Sequence, residues 1–193
     1  MPKKASAKKT KTKEPTKRRT TAHVKNNVKR KRSTFKDLLV AISLMVLPLA
    51  VGFVSTTLTG KAMMNFGLLK QPPFTPPVWV FPAVWSVLYI LMGVASCLIY
   101  SVEAKTLAEK NLRKTEFTIY FLQLIFNLCW PIFFFRLELR FFAFGWVVAL
   151  WLMVFALVYM AFKNRKSAAW CLLPYLLWCT FAVYLNLMIA ILN

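Results

Sequence analysis

Residues Lys70 to Trp85 read KQPPFTPPVWVFPAVW and run directly into the apolar stretch SVLYILMGVASCLIY, Ser86 to Tyr100. Thr75 is a good helix N-cap, and Pro76 and Pro77 suit a first helical turn, where a missing N–H costs no hydrogen bond. The sequence therefore predicts that a membrane-spanning helix begins here.

The prolines of this stretch also predict local shape. Pro82 leaves the carbonyl of Val78 without its helical donor, which favours a kink toward a neighbouring helix or cavity. The prolines ahead of the helix predict a stiff, extended segment. We interpret this segment as a lid across the mouth of the bundle, formed by Pro72, Pro73, Phe74, Pro76 and Pro77.

The composition favours a bilayer as the solvent of this chain. Of its 193 residues, 59% are hydrophobic, whereas a soluble domain has about 45–50%. About 20 apolar residues cross the hydrocarbon core of a membrane. Five segments are long enough, at roughly residues 37–57, 78–100, 116–135, 141–162 and 168–192. The predicted fold is therefore an all-α membrane protein, a bundle of five transmembrane helices.

The distribution of basic residues predicts the orientation. With five crossings, the N-terminal arm and the loops after the second and fourth helices share one side, which holds 22 of the 26 Lys and Arg residues. The positive-inside rule then puts the N-terminus in the cytoplasm and Asn193 outside. The arm is not an amphipathic transit helix. We therefore expect a bacterial cytoplasmic membrane, with a mitochondrial outer membrane as the alternative.

The basic arm, residues 1–36, is distinct from the membrane domain, residues 37–193. It contains 15 basic residues and one acidic residue, and it lacks the apolar residues that a core needs, so it is predicted to be disordered. Its predicted partner is anionic lipid. Nucleic acid is the alternative, which is disfavoured because no aromatic residue is interleaved among the basic residues.

The reactive side chains exclude most conventional enzymes. The only histidine is His23, in the arm, and the four cysteines lie in apolar runs without a C-x-x-C pair. This pattern indicates neither a metal site nor a disulfide framework. The acidic residues of the membrane domain are expected at the ends of the spans or in a loop, so no acid–base catalyst is predicted in a pocket. A flat apolar ligand held by aromatic faces needs none of these groups.

Helical rise places several aromatic and amide side chains at similar depths. Trp85 and Trp130 should lie about 10 Å and 8 Å from the outer face, and Trp178 about 15 Å from the cytoplasmic face. Asn127 and Asn186 fall between Trp178 and the outside. Carboxamides need partners in hydrocarbon. Hydrogen bonds between helices would satisfy them, but their convergence below the proline-rich segment favours a shared pocket.

Three segments resemble one known family. PPFTPPVWVFPAVWSVLYILMGVA (residues 72–95), FNLCWPIFFF (126–135) and LLPYLLWCTFAVYLN (172–186) are similar, in this order, to signatures of the TspO/MBR family. This family contains the tryptophan-rich sensory proteins of bacteria and the translocator proteins of mitochondria. The resemblance covers roughly residues 35–193 and excludes the arm.

The resemblance implies a five-helix membrane protein, often a homodimer, with a pocket inside each monomer. It implies a porphyrin-type ligand, protoporphyrin IX or haem, and no required cofactor or metal. The ligand-binding residues carried over are Trp85, Tyr89, Asn127, Trp130, Trp178, Ala182 and Asn186.

Three functions follow from the resemblance. The favoured one is binding of a tetrapyrrole by a sensory or regulatory protein. The second is light-dependent porphyrin degradation, with Trp85 and Trp178 as the photochemically active residues. The third is transport of porphyrin or small apolar ligands, which a bundle without internal charges or an evident inverted repeat supports poorly.

Several positions depart from the family pattern. Phe74 stands where relatives usually have tryptophan, and Val78 stands where bacterial members often have glycine, which affects the expected lid contacts. The cholesterol motif of mitochondrial members ends in an arginine, but nothing basic follows Leu187. Cholesterol binding is therefore not predicted.

Overall fold

The computed structural model describes the backbone of residues 17–193, and the side chains from residue 34 onward except those at positions 61, 63 and 64. These residues form five α-helices and two short turns. The helices are α1 (Lys17–Met63), α2 (Val80–Tyr100), α3 (Leu107–Pro131), α4 (Arg140–Asn164) and α5 (Lys166–Leu192). A 3-10 turn, Met64–Leu68, follows α1, and a π-helical turn, Ile132–Arg136, follows α3.

The predicted five-span, all-α architecture is confirmed. Each helix contains a stretch that is long and apolar enough to cross a membrane, and within α1 this stretch is Thr34–Gly60. Mean hydropathy over these stretches lies between 1.7 and 2.5. Because acyl chains replace water as the solvent of these spans, apolar side chains are expected on most of the outward surface.

The helix α1 begins at Lys17, inside the basic segment, so the expected boundary between residues 36 and 37 does not coincide with the start of a helix. Residues 1–16 lie outside the described residues, as do the side chains of residues 17–33. Residues 17–36 of the arm are part of α1, while the predicted disorder of residues 1–16 and the lipid contacts of the arm stay predictions. Residues Val40–Asn193 form one compact unit, which contains the candidate site.

In the bundle, α5 packs between α2 and α4, and α3 packs against α4 and less extensively against α2. The helix α1 contacts α2, where Ser96 Oγ donates to the carbonyl of Leu44 over 3.5 Å. The side chains at the centre of the bundle are almost completely buried, and they include Met92, Tyr120, Val154, Leu172 and Tyr175.

The start of α2 differs from the prediction. The helix begins at Val80 with Trp79 at the N-cap position, so Thr75 lies too far ahead to cap it, and its hydroxyl donates to the carbonyl of Pro72 over 2.8 Å. Such local side-chain-to-backbone bonds compete with helix caps. Pro82 consequently lies in the first helical turn, where no intrahelical donor is needed. The reason for expecting a kink at Pro82 is therefore removed.

The helix α3 begins nine residues earlier than expected, at Leu107. Thr106 and Glu109 form a capping box, in which Glu109 N donates to Thr106 Oγ1 and Thr106 N donates to Glu109 Oε2. Glu116 is therefore inside the helix and fully buried, and its Oε2 accepts a 2.7 Å hydrogen bond from Asn164. The expectation that the acidic residues avoid the interior of the spans is wrong for Glu116.

Candidate functional site

Four helices, the 3-10 turn and the π-helical turn surround a cavity, here called the inner cavity, with about 550 Å³ of empty space, which includes space open to the surface. Water-sized spheres fit into only a small part of this volume, so the space is narrow. None of the lining side chains that the structure describes is charged. They are Phe66, Phe81, Trp85, Asn127, Trp130, Phe134, Phe135, Val147, Leu150, Trp178, Cys179, Phe181, Ala182, Leu185, Asn186 and Ile189.

A second cavity, here called the outer cavity, lies between α1, α2 and α3. Its empty space is about 1290 Å³, which includes space open to the surface. The residues described in its walls are also uncharged. They are Gly52, Ser55, Thr56, Thr59, Gly60, Val78, Trp79, Phe81, Pro82, Trp85, Tyr89, Asn127, Trp130, Pro131 and Phe135.

The two cavities share one wall. Five residues line both of them: Phe81, Trp85, Asn127, Trp130 and Phe135. Four of the five are aromatic, and they come from α2, α3 and the π-helical turn. The two spaces are therefore neighbours, separated by side chains rather than by a helix.

The seven predicted ligand-binding residues all line these cavities. Trp178, Ala182 and Asn186 line the inner cavity, and Tyr89 lines the outer cavity. The remaining three, Trp85, Asn127 and Trp130, lie in the shared wall. The structure thus brings together the indoles and carboxamides that the helical depths placed near each other, although it divides them between two spaces.

The carboxamides of the inner cavity satisfy part of their hydrogen bonding within the bundle. Trp130 Nε1 donates to Asn186 Oδ1 over 2.9 Å, and Asn186 Nδ2 donates to the carbonyl of Ala182 over 2.8 Å. Asn127 Nδ2 donates to the hydroxyl of Tyr175 over 2.8 Å. These bonds fix both amides in the cavity wall, as expected for polar groups in hydrocarbon.

Two indole N–H groups at the inner cavity are free. Trp85 and Trp178 both line it, and neither indole N–H has a protein acceptor in the part of the chain that the structure describes. Trp178 makes an edge contact with Phe81, with ring centroids 6.0 Å apart. Both side chains are half-buried, and their N–H groups are donors available to a molecule in the cavity.

The proline-rich segment is attached to the end of α5. Tyr184 donates from its hydroxyl to the carbonyl of Pro73 over 3.2 Å, and Asn193 exchanges hydrogen bonds with the backbone of Lys70. Phe74, which has φ 67°, is 88% exposed. None of the five predicted lid residues lines either cavity. Their role as a lid stays a prediction.

The residue of this connection that does line the inner cavity is Phe66, on the 3-10 turn. It is 4% exposed and makes edge contacts with Phe81 and Phe135, with ring centroids 5.3 and 5.9 Å apart. Gln71 Nε2 donates to the Phe66 carbonyl over 2.9 Å and supports the turn. The sequence did not predict Phe66 as a site residue, because the turn that contains it carries no motif. The available signal was an apolar residue in a connection between two helices.

A buried network behind the site was also missed. Tyr175, which accepts from Asn127, donates to Gln123 Oε1 over 2.7 Å, and both side chains are fully buried. Gln123 lies four residues before Asn127 on α3 and therefore on the same helical face. That spacing was the sequence signal for this network.

The sequence pattern of the TspO/MBR family matches residues 44–192. The chain belongs to the TspO/MBR family. It is 36% identical over 160 residues to the tryptophan-rich protein TspO of Chlorobaculum tepidum, which covers 82% of this chain and 98% of that protein. It is also 32% identical over 151 residues to the translocator protein of Ovis aries, and the alignment covers 76% of this chain and 85% of that protein. The tryptophan-rich sensory protein of Cereibacter sphaeroides is 34% identical to this chain over 118 residues, and the alignment covers 61% of this chain and 70% of that protein.

Membership of the TspO/MBR family agrees with the five apolar helices, and the chain is an integral membrane protein. The matched region includes α2 to α5 and most of the apolar part of α1, so it contains every wall of both cavities. It excludes the basic arm. The resemblance expected from the three motifs is confirmed.

Proposed function

We propose that this protein is a membrane sensor or regulator that binds a tetrapyrrole such as protoporphyrin IX or haem in the inner cavity. The observation that carries this proposal is that Trp85, Trp130 and Trp178, from three helices, line one uncharged space together with two amides. Relatives named as sensory and translocator proteins are consistent with a sensing or transport role.

The aromatic lining of the inner cavity supports a flat ligand, but water-sized spheres occupy only about 30 Å³ of the space, well below the about 300–1,000 Å³ of small-molecule sites. Aromatic rings stack on a planar ligand for about 0.5–1.5 kcal/mol per ring beyond burial. Because the empty space is narrow, the rings must separate as the ligand binds. Phe66 lies on a short turn rather than on a helix, and it is the ring that we expect to move.

The carboxylates of a tetrapyrrole need water or cations, and no described residue in either cavity wall is charged. The end of the bundle at which α2 begins and α3 ends carries Lys70, Arg136 and Arg140. Arg136 directly follows Phe135, which lines both cavities. The proposed ligand therefore lies with its carboxylates toward this end and its macrocycle between the rings.

The setting proposed for the protein follows from the charge distribution. The N-terminus lies in the cytoplasm and the C-terminus outside a bacterial cytoplasmic membrane, in agreement with the basic loops. The basic arm contacts anionic lipid, and the protein is a homodimer, as the family resemblance implies. A variant whose only cysteine is at position 193 tests the orientation. Intact cells that contain it are treated with a membrane-impermeant maleimide. Labelling from outside is expected, and labelling only after lysis contradicts it.

A second candidate function is light-dependent breakdown of the porphyrin, with molecular oxygen as the oxidant. The observation that favours it is the position of Trp85 and Trp178, whose indoles line the inner cavity without protein acceptors. These are the groups that an excited porphyrin in this space would contact.

One experiment tests both functions. Detergent-solubilised protein is titrated with protoporphyrin IX while indole fluorescence is followed, and the complex is then illuminated in air. Saturable quenching that is reduced in Trp85→Phe and Trp178→Phe proteins supports binding in the inner cavity. A change in the porphyrin spectrum that the double variant lacks supports degradation. Unchanged titrations in both single variants contradict the site.

A further inference from the structure

We propose that the junction of α4 and α5 is a binding site for the headgroup of an anionic phospholipid of the surrounding bilayer. The helix α4 ends at Asn164 and α5 begins at Lys166, so Arg165 alone connects them. Lys163, Arg165 and Lys166 are exposed and place three cations within four positions. These three residues are here called the junction patch. None of them lines either cavity, so the proposal does not rest on porphyrin binding.

The charge of the junction patch is not compensated by the protein. None of its three side chains forms an ion pair in the described part of the chain. By contrast, at the same end of the bundle, Lys105 Nζ lies 3.5 Å from Glu103 Oε2. An anion therefore binds the patch without displacing a carboxylate. In a bilayer that anion is the phosphate of a lipid, for which Arg and Lys are the usual ligands.

Hydrogen bonds fix the backbone that carries the junction patch. Arg165 N donates to the carbonyl of Ala161 over 2.7 Å, and the carbonyl of Arg165 accepts from Ala168 N over 2.9 Å. Asn164 Nδ2 donates over 2.7 Å to Oε2 of Glu116, which is fully buried, and so attaches the turn to α3. The three cations consequently stay within reach of one headgroup, and a fixed backbone reduces the entropy lost on binding.

Exposed aromatic rings beside the junction patch favour a lipid over a free phosphate. Tyr159 is 54% exposed and Trp170 is 63% exposed. The ring of Trp170 makes an edge contact with Phe162, with centroids 5.9 Å apart, and Lys163 Nζ lies 4.3 Å from the centroid of Tyr159. Tyr and Trp rings are typical of the depth at which headgroups meet acyl chains. The same lipid can therefore place its phosphate on the cations and its glycerol and upper acyl chain on the rings.

Photolabelling in phosphatidylcholine nanodiscs tests the proposal. The probe is phosphatidylglycerol with a diazirine near the start of its acyl chain, and labelled peptides are mapped by mass spectrometry. Saturable labelling within residues 159–170 is expected. Unlabelled phosphatidylglycerol should compete at least about tenfold better than phosphatidylethanolamine, which has no net charge, and glycerol phosphate should not compete. Equal competition by the two lipids contradicts the proposal. Competition by glycerol phosphate would indicate a free-anion site and also contradicts it, as does labelling that does not saturate.

Two triple variants show whether the patch or the total charge attracts the lipid. The first removes the charges of the junction patch and should weaken probe binding at least about tenfold; it combines Lys163→Gln, Arg165→Gln and Lys166→Gln. The control removes three exposed charges from the same end of the bundle and should weaken binding less than about threefold; it combines Lys105→Gln, Lys110→Gln and Lys114→Gln. Equal losses in the two proteins would overturn the site.

Indole fluorescence gives a second measurement of the same contact. Phosphatidylglycerol brominated in its upper acyl chain should quench the protein more than equally brominated phosphatidylcholine, and Trp170→Phe should remove this difference. The control is Trp79→Phe, which changes an exposed indole at the other end of the bundle and should retain the difference. A difference that persists in Trp170→Phe would contradict the proposed contact. Elution volume and thermal unfolding confirm that each variant is folded.

Discussion

The indole N–H of Trp130 donates a 2.9 Å hydrogen bond to Oδ1 of Asn186 and so joins α3 to α5 in the wall of the inner cavity. Asn186 is 2% exposed, which leaves little water to replace this acceptor. The contact therefore both stabilises the bundle and fixes the orientation of an indole that a ligand would touch.

Asn186→Ala should lower the free energy of unfolding by about 1–2 kcal/mol, because it leaves the Trp130 donor unpaired. Unfolding by SDS, followed by circular dichroism, measures the change. The double variant with Trp130→Phe should be less destabilised than the sum of the two single variants. Asn111→Ala, at an exposed position of α3, is the control. Additive effects would show that the hydrogen bond contributes nothing.

Phe66→Ala should speed porphyrin binding severalfold, because it removes the ring of the 3-10 turn from the inner cavity. It should also lower the free energy of unfolding by about 2–3 kcal/mol, below the 3–5 kcal/mol usual for a buried Phe, since one side of the ring already faces empty space. Stopped-flow quenching measures the rate. Phe74→Ala, which changes an exposed ring of the same connection, should alter neither quantity. A Phe66→Ala protein with the unmodified rate would show that the turn does not control access.

Gly52→Ala should destabilise the protein by about 1–3 kcal/mol, because a Cβ at Gly52 would overlap the ring of Tyr89. Gly60 lines the same cavity, but a Cβ there meets no heavy atom of the described residues within 4 Å. Gly60→Ala should therefore be neutral or stabilise the helix by about 0.5–1 kcal/mol. Thermal unfolding of the two variants side by side measures the difference. Equal stability would contradict the close approach of α1 and Tyr89.

Arg136→Gln should weaken binding of protoporphyrin IX about two- to fivefold, as expected for an exposed ion pair. The dimethyl ester of the ligand, which has no carboxylates, should bind the variant and the unmodified protein equally. Lys166→Gln, at the opposite end of the bundle, is the control. A loss of affinity in Arg136→Gln that is the same for the acid and the ester would contradict the proposed orientation of the ligand.

Much of this architecture was predictable from the sequence, for physical reasons. The lengths of the apolar segments predicted the five spans, because a charge inside hydrocarbon is costly and long segments without charges are therefore typical of membrane-spanning helices. Helical rise gave the convergence of Trp85, Trp130 and Trp178, because depth in a straight helix depends only on residue number. The capping box at Thr106 and Glu109 was present in the sequence and would have placed the start of α3 correctly.

The other features depend on contacts between segments that are distant in sequence. Thr75 bonds to Pro72 instead of capping α2, a competition that local propensity does not decide. The attachment of the connection to Tyr184 and Asn193 joins residues more than 100 positions apart. The division of the site into two cavities follows from side-chain positions at the shared wall, which helical periodicity does not specify.

The affinity of an Ala182→Leu protein for protoporphyrin IX tests the account most directly. Ala182 lines the inner cavity, so the larger side chain should occupy the space and weaken binding at least tenfold. Ala83→Leu makes the same change at an exposed position of α2 and should leave affinity unchanged. Equal, unaltered affinities in the two variants would show that the inner cavity does not hold the ligand.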